Sequence, residues 1–289
     1  MQSQKQFKRR FSFEFFPPKT DQGKEKLQNV RNQLAEVSPD FFSVTFGAGG
    51  STRDRTIETV LNLHSQGIST APHLSCVGGT RQEIGELLDL YREHGINRIV
   101  ALRGDMPSGM GAAGELRYAN ELVEFIREHS GDTFNLEVAA YPEFHPQARN
   151  AEEDLKNFAR KVQAGANSAI TQYFFNADSY FYFIDRLEKM GVTIPVVPGI
   201  MPIVNFSNLV RFSDMCGAEI PRWIRKQLEA YGDDRESIRK FGEEVVTEMC
   251  EKLLAAGAPG LHFYTLNQVE PSISIWKNLG ISEREKIAF

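Results

Sequence analysis

The sequence predicts a single-domain α/β fold, a (β/α)8 TIM barrel, and three observations carry that prediction. Eight short apolar runs recur along the 289 residues, and each is followed by a longer, amphipathic or polar segment. Most of the runs are continuously or nearly continuously apolar, which is typical of parallel strands that are buried on both faces. The chain also has the length of such a barrel, which commonly contains about 250 residues.

The predicted strands alternate with predicted helices along the whole chain. The strands are predicted at residues 11–16, 41–46, 70–76, 98–102, 136–141, 168–174, 195–200 and 260–266. The helices are predicted at residues 24–37, 53–66, 80–94, 116–128, 151–164, 179–190 and 237–256. Several helices are closely followed by a glycine, which a left-handed helix end favours: Gly67, Gly95, Gly165, Gly191 and Gly257.

Two additional helices are predicted between strands seven and eight, at residues 206–215 and 221–231. We interpret them as an insertion within one domain that spans residues 1–289, and we expect residues 1–10 to form a flexible tail. An open, doubly wound sheet is the rival architecture, but it normally has fewer units and an early glycine-rich phosphate turn. Neither GxGxxG nor GxxxxGKS/T follows the first strand, so the closed barrel is favoured.

Composition and charge exclude several classes of function. A net charge of -5 gives no electrostatic reason to expect a nucleic acid or an anionic membrane surface as partner. The three cysteines are widely spaced without a CxxC motif, so neither a disulfide framework nor a zinc site is indicated. No stretch approaches the roughly 18 apolar residues of a membrane span. These features predict a cytoplasmic protein that acts on small molecules.

Glu14 is the leading catalytic candidate. In barrels of this type the active site lies at the carboxyl ends of the strands, and Glu14 stands there in the string FEFFPP at 13–18. Loss of water among the aromatic residues is expected to raise the pKa of this carboxyl towards the range of a general acid. The alternative is a structural carboxylate paired with a lysine or an arginine inside the barrel.

Polar or small residues follow the other strands as well. TFGAGG at 45–50 permits a flat ligand to approach the backbone closely. RGD at 103–105 offers a cation and a carboxylate, or else an internal ion pair, and His73 is a site residue or a hydrogen-bonded core histidine. YPEFHP at 141–146 forms a rigid loop, while the amide of Gln172 both donates and accepts, as the edge of a heterocycle requires.

A polar stripe on the helix at 151–164 is a candidate phosphate-binding surface. Asp154, Asn157 and Lys161 share one face, with Arg160 beside them. Such stripes often face water, but this one directly follows the 141–146 loop and could hold a phosphate-bearing cofactor. The sequence contains no nucleophilic serine elbow, no HExxH and no acidic cluster of metal-binding type, so hydrolysis by a metal or a serine is not favoured.

Seven strings along the chain together resemble the methylenetetrahydrofolate reductase family, in its short bacterial form without a regulatory domain. They are FEFFPPK at 13–19, SVTFGA at 43–48, APHL at 71–74, ALRGD at 101–105, AYPE at 140–143, ITQ at 170–172 and HFYTLN at 262–267. Each string alone is a weak signal. Their order and their spacing at the predicted barrel strands make the resemblance specific over nearly the whole chain.

The resemblance implies a barrel that binds FAD and reduces 5,10-methylenetetrahydrofolate to 5-methyltetrahydrofolate, which supplies methyl groups for methionine synthesis. It implies a ping-pong scheme in which NADH reduces the flavin and leaves before the folate binds at the same face. It also implies a homotetramer. The choice of NADH over NADPH comes from the resemblance as well, because the sequence shows no identifiable selector for a 2'-phosphate.

The resemblance further implies roles for individual residues. Glu14 would protonate N10 of the folate, and Asp105 would tune the flavin and help to stabilise the substrate cation. The residues implied in substrate binding are Glu14, Asp105, Gln172, Asn208, Phe212 and Gln268. Those implied in FAD binding are Thr45, Phe46, Ala48, His73, Arg103, Gly104, Asp105, Tyr118, Ala119, Tyr141, His145, Ala148, Asp154, Asn157, Arg160 and Lys161.

The chain departs from the family pattern at two of these positions. Gln268 stands where the family commonly has an arginine, and Asn208 stands where bacterial members have a longer glutamine. Two other functions stay open on the residues alone. One is a flavin-free lyase or hydrolase that uses Glu14 and Asp105 as an acid and base. The other is a pterin-binding methyl-transfer protein that does not oxidise NADH.

Overall fold

The computed structural model describes residues 1–47, 52–104 and 114–281, and it confirms the predicted TIM barrel. Every strand pairing in these residues is parallel, and the strand order is β7-β6-β5-β4-β3-β2-β1-β9-β8. The strands are β1 (Arg10–Phe15), β2 (Phe41–Val44), β3 (Thr70–Ser75), β4 (Arg98–Leu102), β5 (Asn135–Ala140), β6 (Ser168–Thr171), β7 (Val196–Val197), β8 (Gly199–Ile200) and β9 (Gly260–Tyr264).

Helices alternate with the strands and cover the outside of the barrel. They are α1 (Gln2–Lys5), α2 (Asp21–Ala35), α3 (Arg53–Ser65), α4 (Arg81–Glu93), α5 (Ala119–Ser130), α6 (Ala151–Gln163), α7 (Ala177–Lys189), α8 (Phe206–Cys216), α9 (Arg222–Tyr231), α10 (Arg235–Ala256) and α11 (Ser272–Asn278). The predicted insertion is present as α8 and α9. None of the described helices has the length and apolar character of a membrane span.

The barrel closes through the predicted seventh strand, which is divided into β7 and β8 at Pro198. β7 pairs with β6 and β8 pairs with β9, so the two halves join the two edges of the sheet. Proline has no N–H to donate to a neighbouring strand. The carbonyl of Pro198 still accepts from His262 N at 2.9 Å, and Gly199 N donates to Thr171 Oγ1 at 2.9 Å.

Local sequence determines where the helices begin and end. Thr80 and Glu83 form a reciprocal capping box at the start of α4, which satisfies backbone N–H groups that have no partner within the helix. All five glycines that were predicted to follow helices have positive φ, and Gly257 at φ 100° ends α10. Glycine adopts this conformation without the steric penalty of a side chain.

Alternation along the strands separates an apolar outer layer from a more polar interior. Phe11, Phe13 and Phe15 of β1 are fully buried, and the rings of Phe11 and Phe13 pack against Trp276 of α11. Because successive side chains of a strand point to opposite faces, Ser12 and Glu14 point into the barrel. The functional site is therefore built from the inward-facing residues.

The N-terminal segment differs from the predicted flexible tail. Residues 2–5 form α1, and Gln4 is buried. Its side-chain amide donates to Ile194 O at 3.1 Å and accepts from Val196 N at 2.9 Å. The segment has no apolar periodicity from which a helix could be predicted. It is held by polar contacts with residues that lie far away in the sequence. Helix α11 was not predicted either.

Candidate active site

Glu14 lies inside the barrel between two histidines from other strands. Its side chain projects from β1 and is buried, with the whole residue 8% exposed. Glu14 Oε2 lies 3.3 Å from His73 Nε2 of β3 and 3.5 Å from His262 Nε2 of β9. His73 Nε2 lies close to the carboxylate, although the two groups do not meet the geometric criteria of a hydrogen bond. Glu14 thus has imidazole partners in place of the lysine or arginine of the structural alternative.

His262 is held rigidly beneath this carboxylate. Its Nδ1 lies 2.7 Å from Ser12 Oγ, and its ring is fully buried. The ring stacks on Phe41 with 6.2 Å between the centroids and meets Tyr264 edge-on at 5.3 Å. With Nδ1 bonded to the serine, only Nε2 is directed at Glu14.

The electrostatic environment corrects the predicted pKa of Glu14. Burial raises the pKa, as expected, but attraction to His73 and the hydrogen bond from His262 outweigh it and lower the pKa to about 2. In the ligand-free protein Glu14 is therefore ionised at neutral pH. The sequence could not reveal this, because the histidines that reverse the effect of burial lie on other strands.

The loop after β9 forms hydrogen bonds with the backbone of Glu14 and of Phe16. Thr265 Oγ1 donates to the carbonyl of Glu14 at 2.6 Å. Asn267 accepts from Phe16 N at 2.8 Å and donates to Phe16 O at 2.9 Å through its side-chain amide. Leu266 and Asn267 both have positive φ, at 53° and 56°. Backbone strain of this kind is found where surrounding contacts hold a functional site in place.

The exit of β4 brings the backbone close to the barrel interior. Gly104 has φ 85°, and a Cβ atom there would lie 1.9 Å from Ser75 Oγ, so only glycine fits. Arg103 Nη2 donates to the side chain of Gln147. Asp105, predicted to be catalytic, and Ala48, predicted to contact FAD, lie outside the described residues.

The predicted stripe on α6 divides into two pairs. The carboxylate of Asp154 accepts from His145 N at 3.0 Å, and Lys161 Nζ donates to Ala139 O at the end of β5. Burial lowers the pKa of Lys161 to about 8, against an opposing effect of Asp154. The remaining pair, Asn157 and Arg160, is exposed and joined at 2.6 Å.

The other predicted residues lie at strand ends or in the segments that follow them. Tyr141 and His145 form an edge-on ring pair at 4.5 Å, and Ala148 N donates to His145 O at 2.8 Å. Gln172 and Phe212 are partly buried, while Asn208 is exposed on α8. Thr45 and Phe46 follow β2, Tyr118 and Ala119 stand at the start of α5, and Gln268 follows Asn267.

Three residues of the site were not predicted from the sequence. Ser12 and His262 face into the barrel, and Asn267 lies at its rim. Ser12 lies two positions before Glu14 on the same strand, and His262 lies two positions before Tyr264 on β9. Period-two alternation places each pair on one face of its strand, so this signal was available. Among the described residues there is no group of three or more histidines, cysteines, aspartates and glutamates that could hold a metal ion.

Comparison with known proteins gives concordant matches. The family model for methylenetetrahydrofolate reductase matches residues 1–280. The chain is 41% identical over 271 residues to 5,10-methylenetetrahydrofolate reductase of Escherichia coli K12, covering 93% of this chain and 90% of that protein. It is 38% identical over 292 residues to methylenetetrahydrofolate reductase (NADH) 1 of Zea mays, covering 96% of this chain and 49% of the maize protein.

A solved structure shares the fold at low sequence identity. It is an uncharacterized protein from Clostridium thermocellum that binds two copies of 5-methyl-5,6,7,8-tetrahydrofolic acid. It is 17% identical to this chain, with a TM-score of 0.66, over 97% of this chain and 96% of that one. The likeness supports the barrel architecture.

Proposed function

Because the chain belongs to the methylenetetrahydrofolate reductase family, we propose that it reduces 5,10-methylenetetrahydrofolate to 5-methyltetrahydrofolate with NADH through bound FAD, in a ping-pong scheme at one site. The observation that carries the proposal is the buried Glu14 carboxylate, set between two imidazoles in a chain that matches this family over residues 1–280. The maize relative, named as an NADH form, supports NADH as the donor. The methyl product would serve methionine synthesis.

The residues at the barrel end fit an FAD molecule. His73 Nε2 is buried without an aligned hydrogen-bond partner, which leaves a polar group available to a ligand. Lys161 and Arg103 offer cations for a diphosphate. Bound FAD would accept a hydride from NADH and pass it to the folate. The full set of FAD contacts proposed is the one the resemblance implies.

Glu14 would act as the general acid of the second half-reaction. Its proton would pass from Oε2 to N10 of the folate, and the bond from N10 to the methylene carbon would break to leave an iminium at N5. Because burial favours the protonated carboxyl, a folate that displaces the remaining water would raise the pKa of Glu14 from its low value in the ligand-free protein. The pKa of Glu14 would thus be higher in the folate complex than in the ligand-free protein.

The remaining substrate residues would position the folate. The amide of Gln172 suits the edge of the pterin, and Phe212 on α8 offers a partly buried ring for stacking. Asp105 would stabilise the substrate cation. Gln268 would hold the folate less firmly than the family's arginine, since an amide has neither the charge nor the forked geometry of a guanidinium. Asn208 would hold it less firmly than the family's glutamine, because its side chain is shorter.

The proposal is tested by the colour of the purified protein and by its response to NADH without oxygen. We expect a yellow protein whose flavin absorbance bleaches on addition of NADH and whose released cofactor is FAD. A yellow protein that NADH does not bleach would contradict the first half-reaction. A colourless protein that takes up no FAD would favour the flavin-free lyase or hydrolase.

Substitution of Lys161 by methionine tests the proposed cofactor surface. We expect Lys161→Met to weaken FAD binding about 10- to 100-fold, the loss that corresponds to a charge-assisted hydrogen bond of about 1.5–3 kcal/mol. Titration of the flavin-free protein with FAD measures the dissociation constant. Lys156→Met is the matched control, because Lys156 is exposed on the same helix. Equal dissociation constants for the two variants would remove Lys161 from the FAD site.

A further inference from the structure

Two polar contacts link Ser12, His262 and Glu14 in the interior of the barrel. Ser12 Oγ lies 2.7 Å from His262 Nδ1, and His262 Nε2 lies 3.5 Å from Glu14 Oε2. His262 is fully buried, whereas Glu14 and His73 each keep a small exposed fraction of 8%. Glu14 therefore stands between a closed interior, which contains His262, and the open end of the barrel.

This arrangement bears on the supply of the proton that reduction consumes. The proposed function requires Glu14 to deliver one proton in each turnover, but the ligand-free carboxyl has a pKa of about 2 and holds no proton at neutral pH. A folate that covers the open end of the barrel would keep solvent from Glu14 on that side. A proton stored on the closed side would remain available.

We propose, on the basis of the proposed function, that His262 stores this proton and passes it to Glu14 after the folate has bound, and that Ser12 positions His262 for the transfer. His262 contacts Glu14 and not the substrate, so it is a positioning and relay residue. His73 is less suited, because its Nε2 is poorly aligned with Glu14 and is available to a ligand.

The proton balance of the relay is simple. Protonated His262 would donate from Nδ1 to Ser12 Oγ and from Nε2 to Glu14 Oε2. During transfer the Nε2–H bond breaks and an O–H bond forms on Glu14, which then gives its proton to N10 of the folate. Neutral His262 would keep its remaining proton on Nδ1, with Ser12 Oγ as the acceptor. After the product leaves, one solvent proton enters through Glu14 and restores the imidazolium.

The groups around His262 are consistent with a buried imidazolium that depends on Glu14. Tyr264 of β9 meets the ring edge-on at 5.3 Å, and its hydroxyl is engaged with Thr171 O at 2.7 Å. Phe41 of β2 stacks on the ring, and the guanidinium carbon of Arg98 from β4 lies 4.7 Å from the centroid of the Phe41 ring. Arg98 is itself neutralised by Glu137 of β5. Glu14 is thus the anion in direct contact with His262 among the described residues.

Substitution of His262 by glutamine tests the relay. Glutamine keeps a hydrogen-bond donor but carries no proton to give. Protein whose FAD has been reduced beforehand is mixed with 5,10-methylenetetrahydrofolate over a range of pH. We expect a loss of roughly 100-fold in the rate of flavin reoxidation, the lower end of the range for general acid catalysis. The rate of flavin reduction by NADH, measured on the same sample, controls for folding and FAD content.

The shape of the pH profile separates a relay from a merely structural role. In the unaltered protein we expect the reoxidation rate to level off towards acid pH, because the proton would come from His262 and not from solvent. In His262→Gln we expect it to keep rising as the pH falls, because Glu14 must then take its proton from solvent. A rate lowered by the same factor at every pH would overturn the relay. A rate equal to that of the unaltered protein would overturn it as well.

Ser12 provides a second test that does not depend on His262→Gln folding well. We expect Ser12→Ala to lower the reoxidation rate severalfold and Ser12→Thr, which keeps the hydroxyl, to restore it. His94→Gln, an exposed histidine at the end of α4, is the matched control. Equal rates in Ser12→Ala and Ser12→Thr would contradict the positioning role. If the unaltered protein binds FAD but does not reduce the folate, the proposed function fails and not the relay alone.

Discussion

Replacing Glu14 by glutamine is expected to lower the rate of folate reduction by about 10²- to 10⁴-fold, while bound flavin is still reduced by NADH at close to its normal rate. Glutamine has nearly the same shape as glutamate and can still contact His73 and His262. It cannot deliver a proton to N10. Since the proton is needed only when the folate reacts, the effect should be confined to the second half-reaction.

Anaerobic stopped-flow measurement of the two half-reactions checks this expectation. Glu143→Gln is the control, because Glu143 is another partly buried carboxylate near the same end of the barrel, and its Oε2 accepts from Glu219 N at 2.8 Å. We expect this control to retain both half-reactions. If Glu14→Gln slowed both half-reactions equally, Glu14 would be required for the shape of the site, and its role as the acid for N10 would be wrong.

Replacing Glu137 by glutamine is expected to lower the free energy of unfolding by about 3–5 kcal/mol, the usual cost of breaking a buried ion pair. Glu137 of β5 and Arg98 of β4 are bonded inside the barrel, where they are 2% and 8% exposed. Asn135 Nδ2 also donates to Glu137 at 3.1 Å. Glutamine keeps the volume of the side chain but leaves the guanidinium of Arg98 buried without a counter-charge.

Urea unfolding of the flavin-free protein measures this difference. The control is Asp185→Asn, which breaks the exposed pair of Asp185 and Lys189 and should change stability by no more than about 1 kcal/mol. An equally small change in Glu137→Gln would mean that water reaches Arg98 in the folded protein. The interior of the barrel would then be wetter than the structure indicates.

The fold was predictable because its main signals are local. Apolar runs, amphipathic segments and terminating glycines all lie within a few residues of one another, and strands and helices were found close to their observed positions. The division of the seventh strand was not predicted, although Pro198 marks it. The burial of Gln4 was not predictable, because Ile194 and Val196, which satisfy its amide, lie 190 and 192 residues away along the chain.

Only those features of the site that follow from the sequence of a single strand could be predicted. Glu14 could be chosen from its position at a strand end among aromatic residues. Its pKa could not be predicted, because burial is visible in the surrounding sequence but the opposing histidines are not. His262 is 248 residues away along the chain and reaches Glu14 only through the pairing of β1 with β9. The contact of His73 likewise depends on the curvature of the closed barrel.

A single turnover under anaerobic conditions tests whether the reduced flavin passes its hydride to the folate. Protein reduced with one equivalent of NADH is mixed with 5,10-methylenetetrahydrofolate, while the flavin absorbance and the folate product are followed together. We expect full return of the oxidised flavin spectrum and one 5-methyltetrahydrofolate for each FAD. Flavin that stays reduced in the presence of the folate, or that reoxidises without formation of 5-methyltetrahydrofolate, would contradict this expectation.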